Sequence, residues 1–514
     1  MSSSNVDKIL ELGGTNNKYQ YILLFVSFIS WANTMLTAIG LPFLEKVPDI
    51  SYRDPSTSEI IHTQLSYEIC NDPSIQYNIT NTYEYSFVIS TGIECDQIKT
   101  GLIGTTTYFG NFLGSLLFNF IADTKGRKNT FILSNVLYLI FTFLFNFAND
   151  YYSIIVLLFL SNIFAMVINF SCLVLIEETT STKIRGIFGT IVNAGFPSCA
   201  LFYFPLFSYL GKWKYVFQVN ALTALVVLII FYLFGYESPR LLISQGKIDE
   251  AIDIVKNLAK FHNMEKKFNQ MIQTAEYKEI INELREGKRE DEEKMNNNKA
   301  KEEGSILSLI KYRSIRYKFL ILCFLGFCVN GSYNGISISI KKLPGDLFQN
   351  GMLFYVFEVI VGFFSGCMIN TKFFGRKGTI LIFYFIAFVS FFVFLFFDNV
   401  KEFKILIVLI CKFSISSIFT ILYPYILENY PTSIRAIGLG ITTSCDNIGG
   451  MVFPLITELL TEKQLYIVLA TLNFFEFFFM LFMPETYGKH LPETIREMEE
   501  SDNTLKENEL KMIN

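Results

Sequence analysis

GRKNTFIL occupies residues 126–133, and GRKGTILI occupies residues 375–382. Gly, Arg, Lys and Thr fall in the same places 249 residues apart, each time as a basic turn feeding an apolar stretch. Two further pairs share nearly that spacing. Glu178-Thr-Thr-Ser-Thr-Lys-Ile-Arg185 returns as Glu428-Asn-Tyr-Pro-Thr-Ser-Ile-Arg435, an offset of 250, and Glu237 of Glu-Ser-Pro returns as Glu485 of Pro-Glu-Thr, an offset of 248. Three anchors in one order at one spacing mark a duplicated chain.

Between the anchors the chain is apolar. It has 514 residues, 51% hydrophobic and 16% aromatic, with 18% charged and a mean hydropathy of +0.37. Charges avoid long stretches, and a transmembrane helix needs about 20 mostly apolar residues. Such runs fall at about 19–43, 98–122, 129–148, 151–176, 186–210, 214–235, 318–340, 347–370, 378–397, 403–427, 436–460 and 464–483. The reading is an all-α polytopic membrane protein of twelve spans in two six-span halves. The net charge of −4 sums both sides of a bilayer and so identifies no partner. Parallel duplicated six-span halves place a substrate site between them, near the midplane.

The loops orient the chain. Residues 1–18 are polar and carry no cleavable signal, so the first span serves as an uncleaved anchor. The long 237–316 connection holds sixteen Lys and Arg, whereas the 44–97 loop holds only Lys46 and Arg53. Basic residues mark the cytoplasmic side. The expected layout is a cytoplasmic N-terminus (1–18), a first half (19–236) with an extracellular 44–97 loop, a cytoplasmic linker (237–316), a second half (317–483) and a cytoplasmic tail (484–514). Within the linker, 247–262 spaces its apolar residues as an amphipathic helix. Residues 276–303 are charged, lack apolar residues to pack and read as disordered. Seven of nine cysteines lie in spans, and the other two, Cys70 and Cys95, share the 44–97 loop, in a compartment that permits a disulfide. That loop also carries Asn78-Ile79-Thr80, an N-glycosylation acceptor.

At this point the motifs resemble known ones. DTKGRK (123–128) resembles the signature turn of the major facilitator superfamily. ESPRLLISQGKIDEA (237–251), YPTSIR (430–435), PETYGKHLPETIREMEE (484–500) and KYQ (18–20) resemble the organic cation/anion/zwitterion transporter family. Sugar porters share some of these pieces but normally lack the long first loop. There are departures: Asn119 replaces the signature's first Gly, Thr124 its basic residue after the Asp, Lys372 the Asp of the second copy, and 157–164 lacks the usual Arg. The resemblance implies a transporter of small organic ions, polyspecific for cations or zwitterions, working by alternating access. It further implies gating by Asp123, Gly126, Arg127, Glu178, Arg185, Glu237, Arg240, Gly375, Arg376, Glu428, Arg435 and Glu485. In the family, such charges form cytoplasmic salt bridges. Because the second copy has Lys372 in place of Asp123, only the first turn is expected to form an acidic latch.

Charges within spans are costly and by default mark a functional pathway. Glu358, Lys412, Asp446 and Glu476 qualify, all in the second half. By alignment with the organic cation transporters, Glu358 falls on an acidic position, Lys412 on a basic one and Tyr333 on an aromatic one. Glu358 and Lys412 read either as substrate ligands or as an ion pair joining two helices. Asn447 occupies the place where cation transporters carry Asp, and Asp446 precedes it, about 100° away around the helix. Glu476, in NFFEFFF, reads as structural. The three histidines lie outside the spans, and the first six spans hold no mid-membrane carboxylate, which favours uniport or exchange. No phosphate loop, metal cluster or nucleophile–base pair points to an enzyme, a cofactor, a metal or nucleic acid. The expected partners are the bilayer and a small organic ion, with a monomeric transport unit at the plasma membrane. The competing expectations are a sugar or organic-anion porter and a non-transporting receptor or scaffold.

Overall fold

The computed structural model describes residues 18–53, 59–65, 67–180, 188–189, 191–261, 264–283, 285, 306–368, 374–397, 401–431 and 434–487. The 1–17 segment, Arg185, Lys372, most of the 276–303 stretch and the tail beyond 487 lie outside them, as do the side chains of Asp123 and Arg435.

Twelve long helices follow in order: α1 Lys18–Thr34, α2 Gln97–Lys125, α3 Arg127–Leu144, α4 Tyr151–Thr179, α5 Gly195–Leu210, α6 Trp213–Phe234, α7 Arg313–Ser339, α8 Leu347–Met368, α9 Gly375–Phe397, α10 Lys401–Glu428, α11 Arg435–Leu459 and α12 Glu462–Leu481. Among the described residues, eight helices are long and apolar enough to cross a membrane. The other four are α1, α2, α8 and α11. α1 is interrupted after 17 residues and continues as two short turns, Leu36–Ile39 and Leu41–Leu44. α2 and α11 pack along each other between the halves, and their Gly, Thr and Asn dilute the apolar run. Helices facing protein need less apolar surface than helices facing lipid.

Helix starts follow local chemistry. Asp150 accepts from the Ser153 N–H at 2.9 Å, and Thr461 with Gln464 forms a capping box at α12. One apolar core lies around α1, α3, α4 and α6, and a larger one runs through α7 to α12 and crosses into the first half through Phe43, Ile103, Phe204 and Phe207.

The connection after α1 folds into a small sheet that the periodicity of the sequence had not suggested. Strands β1 Asp49–Arg53, β2 Ile60–Gln64 and β3 Tyr77–Asn81 pair antiparallel in the order β2-β1-β3, with Ser51 opposite both His62 and Asn78. Cys70 and Cys95 are disulfide-bonded, their Cα atoms 5.7 Å apart. Asn78 is exposed on β3. After α6 a helix spans Ile248–Phe261. Its Ile248, Ala251, Val255 and Ala259 pack with Leu242, Ile243, Phe268 and Ile280 into a small separate core. The sheet marks one end of the molecule, the loop face, and this helical unit marks the other, the linker face.

Candidate functional site

The two basic turns are carboxylate receptors. Gly126 and Gly375 take φ of +86° and +59°, which ends one helix and aims the first N–H groups of the next at a common point. In the first half the N–H of Arg127 donates to Glu237 Oε1 at 2.8 Å, and the N–H of Lys128 donates to the same carboxylate at 3.2 Å. In the second half the N–H groups of Arg376 and Lys377 donate to Glu485 Oε1 and Oε2, each at 3.0 Å. A Cβ on either glycine would collide with that carboxylate. An anion at a helix N-terminus satisfies unpaired N–H groups and meets the positive end of the dipole. Both turns therefore receive a carboxylate, from Glu237 and Glu485 at the last connection of each six-helix unit. The latch expected from Asp123 falls on a side chain outside the described ones.

The glutamates of the two repeated motifs each meet the basic turn of their own half. Glu178 is engaged by Arg127 at 3.6 Å, and Glu428 by Arg376 at 2.6 Å. Each basic turn thus binds one carboxylate through its backbone and a second through its guanidinium. All of these contacts stay within one half. Arg240 follows the Ser238 cap of the short helix Pro239–Ser244, whose hydroxyl accepts from the Leu241 N–H at 3.1 Å.

The in-span charges come together in two groups. Lys412 on α10 lies 3.4 Å from Glu358 on α8, donates to Ser337 Oγ at 2.7 Å, and sits 3.1 Å from the centre of the Tyr333 ring on α7. The Tyr333 hydroxyl donates to both Glu358 oxygens, at 2.8 and 3.0 Å. A buried ammonium over an aromatic face gains from the ring quadrupole as well as from its counter-ion. This cluster faces the other half: the Phe196 ring on α5 lies 5.8 Å from Tyr333, tilted against it, and Phe204 lies 5.4 Å from Tyr355, which flanks Lys412.

Asp446 on α11 forms the second group. Its Oδ2 accepts from the Tyr423 hydroxyl at 2.6 Å, and its backbone carbonyl accepts from Asn330 at 3.0 Å. Asn330 is bonded to Asn334, whose oxygen accepts from the Tyr108 hydroxyl of α2 in the first half. Asn447 instead turns its amide back to its own helix, to the Thr443 carbonyl at 3.0 Å. Asp446, not Asn447, is the residue of this pair that reaches across helices.

Rings connect the two groups. Tyr333, Phe419 and Tyr423 follow one another at 5.3 and 5.4 Å, forming an aromatic ladder from Glu358 to Asp446. Lys412, Ser416, Phe419 and Tyr423 occupy one stripe of α10 at spacings of four, three and four residues. Sequence reasoning missed Ser416, Phe419 and Tyr423 because 54 Phe and 27 Tyr mask any single ring.

At the loop face a third cluster does bridge the halves. Lys341, just past α7, contacts Glu45 of the first half at 2.9 Å and Glu458 at the end of α11 at 2.5 Å. Glu45 is wholly buried and Lys341 nearly so. Gln64 of β2 donates to the Lys341 carbonyl at 3.0 Å, and Thr105 on α2 donates to the Met451 carbonyl on α11 at 2.8 Å. Charges at span ends are ordinary, so the sequence offered no reason to select these three.

Comparison with known proteins agrees with this architecture. The Major Facilitator Superfamily model matches residues 23–454. Organic cation/carnitine transporter 2 of Rattus norvegicus is 27% identical over 441 residues, covering 85% of this chain and 75% of that one. Organic cation transporter 1 of Caenorhabditis elegans is 24% identical over 536 residues, covering 96% and 88%. Among solved structures, the partially occluded inward-open form of the xylose transporter XylE from E. coli superposes with a TM-score of 0.63. It is 15% identical and covers 92% of this chain and 100% of that one, a likeness of fold alone. With twelve helices in two halves, twin latched turns and a match across most of its length, the chain belongs to the Major Facilitator Superfamily and is built as a transporter rather than an enzyme.

Proposed function

We propose that this protein carries small organic cations or zwitterions across a membrane, its two halves rocking about a site formed by Tyr333, Glu358, Lys412, Phe419, Tyr423 and Asp446. The observation that carries the proposal is the aromatic ladder with a carboxylate at each end. A cation moving along it exchanges one carboxylate for the other across ring faces, so its charge is never left unpaired. Lys412 neutralises Glu358 when the site is empty, and a zwitterion's own carboxylate could take over Lys412. The names of the similar rat and nematode proteins support the same substrate class.

The described ion pairs that join the halves lie at the loop face, whereas those of the linker face stay within each half. This is the pattern of a conformation closed on the loop side. We place the linker and both termini in the cytoplasm and the loop, with a glycan on Asn78, outside, because the linker holds most of the basic residues. We place the protein in the plasma membrane and take one chain as the transport unit. The membrane potential contributes about 2.3 kcal/mol per charge per 100 mV to the entry of a cation. Exchange of one organic cation for another fits the same site.

Voltage-clamped cells expressing the protein should take up tetraethylammonium in proportion to the inside-negative potential. Asp446→Ala and Glu358→Ala should each abolish that uptake. Normal uptake in both variants would remove the site, and uptake of a labelled hexose without any cation would remove the substrate class.

A further inference from the structure

Glu476 is not part of the ladder. It lies on α12 with no exposure, and neither carboxylate oxygen has a hydrogen-bond partner. Rings seal the position from lipid: Phe474 packs on Phe388 and Phe477 on Phe385 of α9, while Phe479 packs on Phe324 of α7. The NFFEFFF run thus clamps α12 onto two neighbours and leaves its one acid inside.

The surroundings are polar, neutral and equally unpartnered. The Tyr384 hydroxyl on α9 lies within electrostatic reach of Glu476, is wholly buried and has no partner. Asn473, one turn earlier on the same face of α12, is wholly buried and its side-chain oxygen accepts nothing. On α7 the Cys328 thiol is also within reach, and the buried Ser332 hydroxyl, one turn beyond it, is unpartnered. Among the described residues these are the titratable groups that α9 and α7 turn toward Glu476. Among the described residues, no charged side chain from α9, α7, α11 or α12 itself faces it.

An ionised carboxylate has no compensation here, because every neighbour is neutral. Hydrogens on Tyr384 and Cys328 belong to neutral groups and cannot cancel a buried charge. One added proton does: a neutral Glu476 has a hydrogen for the Asn473 oxygen and a carbonyl oxygen for the Tyr384 hydroxyl.

We propose that Glu476 is a proton-binding site, loaded in this loop-closed conformation and discharged when α7 shifts. α7 is the shared wall: Cys328 lies within reach of Glu476, and Tyr333 and Ser337 turn toward Glu358 and Lys412. A substrate that rearranges Tyr333 therefore moves the wall of the proton site. The transport cycle then includes a proton step, with the carboxyl giving its proton to water as the cation binds.

Infrared spectroscopy of the purified full chain in nanodiscs reads the proton directly. At neutral pH the carbonyl stretch of a protonated carboxylic acid should be present, be lost in Glu476→Gln and persist in Glu358→Gln. Adding tetraethylammonium should weaken the band, with matching proton release to a pH dye. Tyr384→Phe, which preserves shape, should shift the band's frequency and serves if Glu476→Gln fails to fold. A band unchanged in Glu476→Gln would overturn the site. A band indifferent to bound tetraethylammonium would overturn the link to transport. The substrate-free arm stands apart from the cation reading: if tetraethylammonium gives no thermal shift, that reading fails while the band still decides the proton site.

Discussion

At the centre of the first half, Asn33, Tyr138, Tyr203 and Asn220 from four helices hydrogen-bond one another. The Tyr138 hydroxyl donates to Asn220 Oδ1 at 3.0 Å, and Asn220 donates to the Asn33 carbonyl at 2.7 Å and to Asn33 Oδ1 at 3.0 Å. At the corresponding depth in the second half lie Glu358, Lys412, Asp446 and Glu476. The halves repeat one backbone plan and even one pair of latched turns, yet one interior is neutral and the other ionic. A closed amide–phenol network gains nothing from a ligand's charge, so it serves to keep its half rigid. An ion pair can exchange a partner for a charged ligand, so the second half is where charge is recognised.

This contrast can be broken by experiment, and the largest effect belongs to the ionic half. Glu358→Ala leaves Lys412 buried without its counter-ion, which should lower stability by about 3–5 kcal/mol. A melting temperature within a degree of the parent would show that Lys412 does not depend on the pair. Next comes the loop-face cluster. Lys341→Ala leaves Glu45 and Glu458 facing each other and should favour opening there by roughly 1.4 kcal/mol or more, about tenfold in population. A cysteine placed at Thr105 should then react correspondingly faster with an impermeant thiol reagent, and unchanged labelling would mean that these charges do not hold the halves together.

The latched turns test the symmetry itself. Glu237→Gln and Glu485→Gln each weaken charge-assisted bonds worth about 1.5–3 kcal/mol, and the two losses should match in thermal unfolding. Unequal losses would reveal that Asp123, present in only one half, carries part of the latch. The smallest effect is expected in the neutral network. Tyr138→Phe should cost about 1 kcal/mol of stability and leave the preference among cations of different size unchanged. Altered preference would place the first half in the recognition site and blur the contrast.

Much of this was legible without coordinates. Long apolar runs allow few structures in a bilayer, because backbone groups must be satisfied within each segment. The repeat of Gly126-Arg127-Lys128 as Gly375-Arg376-Lys377 divided the chain in two. Glu358, Lys412 and Asp446 stood out because a charge in an apolar span is rare. Pairing was another matter. Glu178 meets Arg127, which is distant in sequence and adjacent across the helix ends. Glu45, Lys341 and Glu458 sit where charges are unremarkable, and only their convergence from two halves distinguishes them.

The sequence by itself thus determined the number of spans, the duplication and the half that holds the charges, since each follows from local composition or spacing. Tertiary structure alone decided which carboxylate each basic turn receives, that Asp446 reaches α10 while Asn447 does not, and that Glu476 has no partner. Those outcomes depend on groups 23 to 110 residues apart in the chain arriving within a few ångströms of one another. The energies that choose among them, desolvation and hydrogen-bond geometry, exist only once the helices have packed.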